Sequence, residues 1–499
     1  LGLVHRGFDT VVKPALEQHL VDSGCMSCGQ CVSVCPTGAL QERQSVAKEV
    51  PLETKVTNTT CSYCSVGCSL QVESCGSMLI KSNPDKNGAV NKGLLCGKGK
   101  WGFDCSVLEG KLTKPLIKDG DKFRECSYDE AIVLVAKKAE SIATKYGKDS
   151  VAVSISDRFT NEEASVIKKL ADAMGAKTLC FNHVESGLKK VLGVDKSPND
   201  MDELLSTNVI LVFGYIMEKN PVVQLKLKQA AENGAKVYVI NPVGVEVVNF
   251  DFAEKVIYTG NNLDALKEIA KYLVDEKDNL SLTNLLELKK SLENVFVSDE
   301  IKEVASAYNN SKKAMIVFQE NVLSVDAATM IGNIALVSNH IGAPRDGIVQ
   351  IKGKNNSQGL VDMGIDKGIE EMANVKALLC FGEDPCVLGD DILDNLEFVM
   401  TVDTHMTDTC KNSDVVLPGS GPMSVEGTYT NTDGRVQFVN KVIDENIEFN
   451  NEELARKIAS VYEVDLYKVV TKAPLKENAV ESLVVVGDNV VVDVHKCCD

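Results

Sequence analysis

The sequence predicts an α/β fold built on doubly wound parallel sheets. Three observations carry this: short apolar runs read as buried strands, amphipathic stretches alternate with them, and the composition is that of an ordinary globular chain. The runs are Ser150 to Ile155, Asn208 to Gly214, Ala235 to Asn241, Ala314 to Phe318, Ala377 to Gly382 and Phe398 to Val402. Each is too short for a helix and is rich in residues that suit a strand buried on both faces. Helices begin where polar caps permit. Ser127 with Glu130 and Thr160 with Glu163 have capping-box spacing, and Gly175 suits a helix stop. Gly214 and Gly382 each end a strand where a doubly wound sheet would bind a nucleotide phosphate; two plain scaffold turns are the alternative. His340 and His405 lie near these turns and read as satisfied scaffold histidines.

The 499 residues suggest about three or four domains at roughly 100–200 residues each. Hydrophobic residues make up 44% and charged residues 25%, which leaves enough apolar side chain for sizeable cores and excludes disorder as the main state. The formal net charge of −18 repels phosphate backbones and anionic headgroups, so nucleic acid is not an expected partner. No apolar run approaches the roughly 20 residues of a membrane helix, and Asn208 to Met217 is too short and interrupted by glycine. A soluble chain without direct membrane insertion is expected.

The cysteines, 17 in all, carry the chemistry. Cys25, Cys28, Cys31 and Cys35, followed by Pro36, have the C-x2-C-x2-C-x3-C-P spacing of bacterial ferredoxins. Two-residue gaps let a tight loop aim successive thiolates at one cubane, and Gly29 keeps side chains clear. In two-cluster ferredoxins the fourth cysteine ligates the other cluster, so Cys25, Cys28 and Cys31 would hold one cluster while Cys35 reaches a second. The thiols completing that pair are expected upstream of Leu1. A zinc knuckle is the alternative.

A second set, Cys61, Cys64 and Cys68 with Cys96, suits one 4Fe-4S cubane, the hairpin-like interval returning the last ligand. Cys75 lacks the spacing and reads as a bystander. Cys105, Cys126, Cys180, Cys380, Cys386 and Cys410 are scattered and read as small core hydrophobes. Cys497 and Cys498 are adjacent and read as incidental. Thiolate ligands need reduced cysteines, which points to a cytoplasmic compartment.

Beyond the thiols the chain contains Phe103-Asp104, Leu112-Thr-Lys-Pro-Leu-Ile117, Arg158-Phe-Thr-Asn-Glu-Glu163, Gly353-Lys-Asn-Asn-Ser-Gln-Gly359, Ser413-Asp-Val-Val-Leu-Pro418 and Gly427-Thr-Tyr-Thr-Asn-Thr-Asp-Gly-Arg-Val-Gln437. With these it resembles the molybdopterin oxidoreductase superfamily, in particular the alpha subunits of NAD-linked formate dehydrogenases and the G-type subunit of NADH dehydrogenase (respiratory complex I). The resemblance implies two iron-sulfur modules followed by doubly wound α/β domains of the molybdopterin oxidoreductase type. It also implies that Lys98, beside Cys96, lies between a cubane and a bis-molybdopterin guanine dinucleotide. Lys98 is thus a candidate electron relay, with a solvated loop lysine as the alternative.

The same resemblance exposes departures. Aligning His183 with the family's histidine puts Asn182 at the metal-ligand position, and an amide is a poor ligand for molybdenum or tungsten; sliding the register to use Cys180 separates it from His183. Thr329 stands where a substrate-orienting Arg is expected, and a hydroxyl cannot clamp a carboxylate as a guanidinium does. The family's Asp-Pro-Arg is Asn241-Pro-Val243, its guanine-binding Asp is Asn262, and formate dehydrogenases commonly carry Arg at the position of Gly434. The stretch after Gln437 is too short for the family's C-terminal pterin-binding domain. A bis-pterin cofactor is therefore expected to be absent.

Four segments are expected: a ferredoxin-like module over 1–48 with His5 and His19 on a helical lead-in, a second 4Fe-4S domain over 53–108, α/β domains over 109–462, and an extension over 463–499 ending in a hairpin near Gly487. The expected function is an iron-sulfur electron-transfer subunit of a cytoplasmic, multisubunit NAD(P)-linked oxidoreductase. No G-x-G-x-x-G fingerprint occurs, so an NAD(P)-binding flavoprotein subunit should accompany it, along with other iron-sulfur subunits or ferredoxin. The alternatives are a formate dehydrogenase-type catalytic subunit with molybdenum or tungsten, and a purely structural docking platform.

Overall fold

A computed structural model describes residues 2–14, 18–20, 23, 25–42, 53–103, 110–214, 219–245, 250–277, 282, 284–389 and 391–462. Asp104, Cys105, Cys497, Cys498, the hairpin near Gly487 and the whole extension over 463–499 lie outside the described residues.

The chain starts with strands β1 (Gly2–Val4) and β2 (Val11–Lys13), which pair antiparallel. The expected helical lead-in is therefore corrected: an extended Val-Val pair and a turn of three residues at Gly7–Asp9 favour a hairpin. His5 and His19 are exposed, as expected. A meander follows, made of β3 (Lys55–Thr60), β4 (Ser69–Cys75) and β5 (Met78–Pro84), with alternating burial along β4 as in a sheet covered on one face.

Next come β6 (Leu116–Asp119), β7 (Lys122–Glu125), β8 (Val151–Ile155) and β9 (Lys177–Leu179). The chain then leaves to build β10 (Val209–Phe213), β11 (Lys236–Pro242), β12 (Lys255–Thr259), β13 (Ala314–Gln319) and β14 (Gly347–Ile351). It returns with β15 (Ala377–Phe381), β16 (Phe398–Asp403) and β17 (Val415–Pro418), and then forms the hairpin β18 (Gly427–Thr430) and β19 (Val436–Val439). Each of the six apolar runs read as a strand is one, with ends shifted by a residue or so.

Two doubly wound sheets result. The first has the order β12-β11-β10-β13-β14 and is parallel throughout. The second has the order β7-β6-β17-β16-β15-β8-β9, parallel from β17 to β9 and antiparallel at the β6 and β7 edge. Strand direction of travel reverses between β10 and β13 in one and between β8 and β15 in the other, where such sheets open a crevice at their carboxyl ends.

One apolar core joins the meander to the first sheet. Leu70, Val72 and Leu79 of the meander and Val66 and Leu95 of the thiol segments pack with Ile210, Val212, Val239, Val317 and Val349. The other face of that sheet is covered by helices 262–276, 299–309 and 325–338. Helices 128–146, 161–174 and 451–461 cover the second sheet.

The caps behave unequally. Thr160 and Glu163 form the full capping box, with Thr160 Oγ1 accepting from Glu163 N at 3.2 Å and Glu163 Oε2 accepting from Thr160 N at 2.8 Å. Ser127 accepts from Glu130 N, but the Glu130 carboxylate turns to Arg124, so that box is half made. Gly175 ends its helix at φ 66°. Because Thr160 also keeps the buried Glu163 supplied with donors, Thr160→Ala should cost about 1–2 kcal/mol. A lowered urea midpoint at unchanged slope is the expected readout, with a smaller drop for Ser127→Ala.

Candidate metal centre

Cys61 follows β3 and Cys68 precedes β4, so the turn joining two antiparallel strands carries three thiols. Cys61 N donates to Cys68 O at 2.8 Å and closes this turn. Cys96 caps the short helix 97–101 on the far side of the hairpin formed by β4 and β5. Cys61, Cys68 and Cys96 are buried and Cys64 is half-buried. Burial raises the pKa of Cys61, Cys64 and Cys68, and neighbouring thiols of the same set push each further up. The backbone N–H groups of Tyr63 and Val66 oppose the rise at Cys61 and Cys64, and the Lys98 ammonium also acts on Cys64. The four thiols thus lie near enough to act on one another, three of them buried, with amides aimed at two of them.

The thiol turn is clasped from outside. Ser62 O accepts from Arg158 Nη1 at 3.1 Å, Ser65 O from Thr432 N at 2.8 Å, Val66 O from Asn431 Nδ2 at 3.1 Å and Gly67 O from Gln437 Nε2 at 2.7 Å. Ser65 Oγ donates to Lys352 O at 2.6 Å. Gly67 has φ 71°, and a Cβ there would strike Gln437. The hairpin of β18 and β19 and the end of β14 therefore fix the turn's carbonyls outward.

The first thiol set is more open. Cys25 is exposed, Cys28, Cys31 and Cys35 are half-buried, and the set lies around the four-residue helix 30–33. The N–H of Leu40, then the hydroxyl and N–H of Thr37, lower the Cys35 thiol to about 7. Among the described residues no three His, Cys, Asp or Glu side chains converge on a position for a single metal ion. Lys98 is exposed on helix 97–101. Cys75, Cys126 and Cys386 are half-buried, while Cys180, Cys380 and Cys410 are buried, as expected of core thiols.

The residues of the expected pterin-metal position line a separate cavity of about 340 Å³ that includes Cys180, Asn182, His183, Glu320 and Lys352. Asn182 Nδ2 donates to Asp157 Oδ1 at 3.1 Å. Cys180 Sγ lies 3.5 Å from Glu383 Oε1, and burial holds this thiol well above its usual range. Lys352 is buried between two carboxylates, 2.7 Å from Asp195 Oδ1 and 3.1 Å from Glu320 Oε1, with Gln350 Nε2 also on Glu320 at 2.8 Å. Burial raises the Glu320 carboxyl and also lowers the His183 imidazole. This ion network was not foreseen from the sequence: Lys352 lies next to the glycine-rich segment, but nothing marked Asp195 or Glu320 as its partners.

The remaining expected positions are ordinary or polar. Thr329 Oγ1 donates to Val325 O at 2.8 Å within its own helix. Asn241 Oδ1 accepts from Gly214 N at 3.0 Å, and Asn262 starts helix 262–276. Gly434 has φ 72°. Gly382 lines a second cavity, of about 580 Å³, with Arg158, Asp403, Gly419 and Tyr429 at the crevice between β8 and β15. His340 is satisfied, with Asp346 Oδ1 at 2.6 Å and Tyr308 O at 2.9 Å. His405 departs from expectation: its Nδ1 meets Thr404 Oγ1 at 3.0 Å, but its buried Nε2 has no partner.

Asp433, in the turn between β18 and β19, accepts from Met201 N at 3.0 Å. Burial, aided by Asp200, pushes its carboxyl up to about 7 against that donor. Between about pH 4 and 7 the folded form then holds a proton that the unfolded form has released, so stability falls as pH rises through this window. Asp433→Asn keeps an acceptor for Met201 and should flatten this slope in denaturation midpoints measured from pH 4.5 to 7.5. An unchanged slope would assign it elsewhere.

The comparisons with known proteins agree with this arrangement. The family model described as molybdopterin oxidoreductase matches residues 111–451, that of the molybdopterin oxidoreductase Fe4S4 domain matches 54–105, and that of the 4Fe-4S binding domain matches 21–41. The F420-dependent formate dehydrogenase 2 subunit alpha of Methanococcus maripaludis is 28% identical over 463 residues, 79% of this chain and 68% of that one. The F420-dependent formate dehydrogenase subunit alpha of Methanocaldococcus jannaschii is 27% identical, with 79% and 68% covered. The probable oxidoreductase YjgC of Bacillus subtilis is 26% identical, covering 85% of this chain and 54% of that protein. Acetylene hydratase from Pelobacter acetylenicus shares the fold at a TM-score of 0.65 and 16% identity, over 81% of this chain and 69% of that one.

Proposed function

We propose, from the premise that this chain belongs to the molybdopterin oxidoreductase family, that it is an iron-sulfur electron-transfer subunit of a multisubunit NAD(P)-linked oxidoreductase. It passes single electrons between an NAD(P)-binding flavoprotein subunit and another redox partner, which is an iron-sulfur subunit or ferredoxin. Cys61, Cys64, Cys68 and Cys96 hold one 4Fe-4S cubane. Cys25, Cys28 and Cys31 hold another, and Cys35 reaches a further cluster. The observation that carries the reading is the clustered quartet of thiols, three of them buried: iron would take them as thiolates and offset the cost of holding them away from water. Burial and the amides around the turn then tune the cluster's potential. Lys98, next to Cys96 and felt by Cys64, supplies a positive charge that favours the reduced cluster.

The residues at the pterin-metal position do not suit molybdenum or tungsten. An amide bonded to Asp157, a thiol buried against Glu383 and a lysine held by two carboxylates offer no accessible soft anionic ligand. The reading therefore routes no chemical step through that group. Among the described residues no helix is long and apolar enough to cross a membrane.

The names of the methanogen relatives favour a second reading, a formate dehydrogenase-type catalytic subunit with a metal-bound bis-pterin. Elemental analysis separates the two. Iron and inorganic sulfide without molybdenum, tungsten or pterin are expected in the purified complex, and stoichiometric molybdenum or tungsten would overturn the first reading. Cys64→Ser should abolish one cubane's electron paramagnetic resonance signal and slow electron flow; unchanged turnover would put that cluster off the path.

A further inference from the structure

The helix 97–101 begins at Cys96 and has glycine at 97, 99 and just beyond its end at 102. Its two sides meet different thiol segments. On one side a Cβ at Gly97 would lie 3.0 Å from Met26 O and 3.3 Å from Ser27 Cβ, while one at Gly29 would lie 2.9 Å from Lys100 Cε. Trp101 Nε1 donates to Ser27 O at 2.6 Å, and Gln30 Nε2 donates to Gly93 O at 2.9 Å. On the other side a Cβ at Gly99 would lie 3.6 Å from Cys61 Sγ, one at Gly102 would strike the Tyr63 hydroxyl, and that hydroxyl donates to Gly102 O at 2.6 Å.

The Met26 carbonyl against Gly97 and the Tyr63 hydroxyl against Gly102 leave no room for a side chain at either glycine, while Gly99 sits at ordinary contact distance from Cys61 Sγ. Lys100 locks the arrangement. Its side chain is 3% exposed, with Nζ 2.7 Å from Glu42 Oε1 and 2.8 Å from Asn83 Oδ1, and it lies 5.1 Å from the centre of the Trp101 ring.

We propose that helix 97–101 is the electron junction between the two thiol groups, with Trp101 and Gly97 as positioning residues that set how closely the two cubanes approach. The inference rests on the cluster assignments above and deepens them. Cys25, Cys28 and Cys31 would hold the cubane that gives up one electron and Cys61, Cys64, Cys68 and Cys96 the cubane that would take it, with no bond formed or broken. The reductant is the reduced flavin of the partner subunit, or dithionite in a test. Met26 O lies against Gly97, which adjoins Cys96, and Ser27 O accepts from the indole of Trp101, whose neighbour Lys100 donates its N–H to Cys96 O at 3.0 Å; Met26 and Ser27 lie between Cys25 and Cys28. The contact therefore runs from one ligand set to the other through a few bonds and one indole hydrogen bond.

The test compares the full-length wild-type protein with Trp101→Phe, Trp101→Ala and Gly97→Val. Iron and sulfide content, the mutual splitting of the two cubanes' paramagnetic resonance signals after dithionite reduction, and the rate at which the second cubane is reduced after rapid mixing are measured. Trp101→Phe keeps an aromatic ring beside Lys100 and loses the indole donor with its pyrrole ring, so its iron content should match wild type while passage slows. Trp101→Ala and Gly97→Val should slow it further and lose the splitting. Full iron content with unmoved splitting and rate in Trp101→Phe and Gly97→Val would overturn the junction alone. Wild-type protein without iron would overturn the cluster reading and the junction together.

Discussion

The gathering of four thiols, three of them buried, at the seam between the antiparallel meander and the first parallel sheet is the constraint on which the rest of the structure depends. A thiol turn between β3 and β4 would be soft on its own, since a short meander has little core. Here the apolar residues flanking the thiols, Val66 and Leu95, enter the same core as Ile210, Val239 and Val349. The cluster domain is consequently continuous with the α/β body. The carbonyl oxygens of Ser62, Ser65, Val66 and Gly67 are all taken from outside the turn. With its carbonyls held outward the turn presents amides and thiols inward, the arrangement that stabilises a negatively charged cluster.

The same stitching links the thiol turn to the cavity at Asn182 and His183. Lys352 accepts from Ser65 through its backbone oxygen while its ammonium is enclosed by Asp195 and Glu320. Two carboxylates around one buried ammonium are costly to desolvate and stay in place only as a complete set; breaking such a set by removing one partner typically costs about 3–5 kcal/mol. A cavity with a polar lining cannot simply be filled with apolar side chains, because its donors and acceptors would be stranded. The internally paired network satisfies the lining and keeps β14, which carries Gln350 and leads into Lys352, in register with the thiol turn.

Much of this was legible in the sequence, for a physical reason. Buried parallel strands such as Val209–Phe213 and Ala377–Phe381 are unbroken apolar runs, and the Thr160 and Glu163 box is local, so neither needs knowledge of the tertiary fold. Thiol spacing is likewise a local property of a turn. What escaped lay outside the cap pattern or at long range: Glu130 left its cap for Arg124, six residues back on the preceding strand, and Lys352 found partners 157 and 32 residues away. The N-terminal hairpin escaped because Val11 and Val12 are exposed, leaving no burial pattern from which to read strands.

Long-range decisions also govern the meeting of the two thiol groups. Spacing alone says that each set can hold a cubane, and says nothing of whether electrons pass between them. Contact between Met26 and Gly97 requires that neither carry bulk at that point, and Gly29 meets the same demand from the other chain segment at φ 71°. Glycines at 29, 97 and 102 therefore take the part that an apolar interface would take elsewhere, because they let backbone approach closely, with Trp101, Lys100, Gln30 and Tyr63 bridging what remains. An interface of this kind is stiff: its separation is set by peptide groups and one buried ion pair, and not by flexible side chains that could repack. Stiffness at that point matters more for single-electron passage than affinity does, since the two clusters belong to one chain and need no encounter, only a fixed distance.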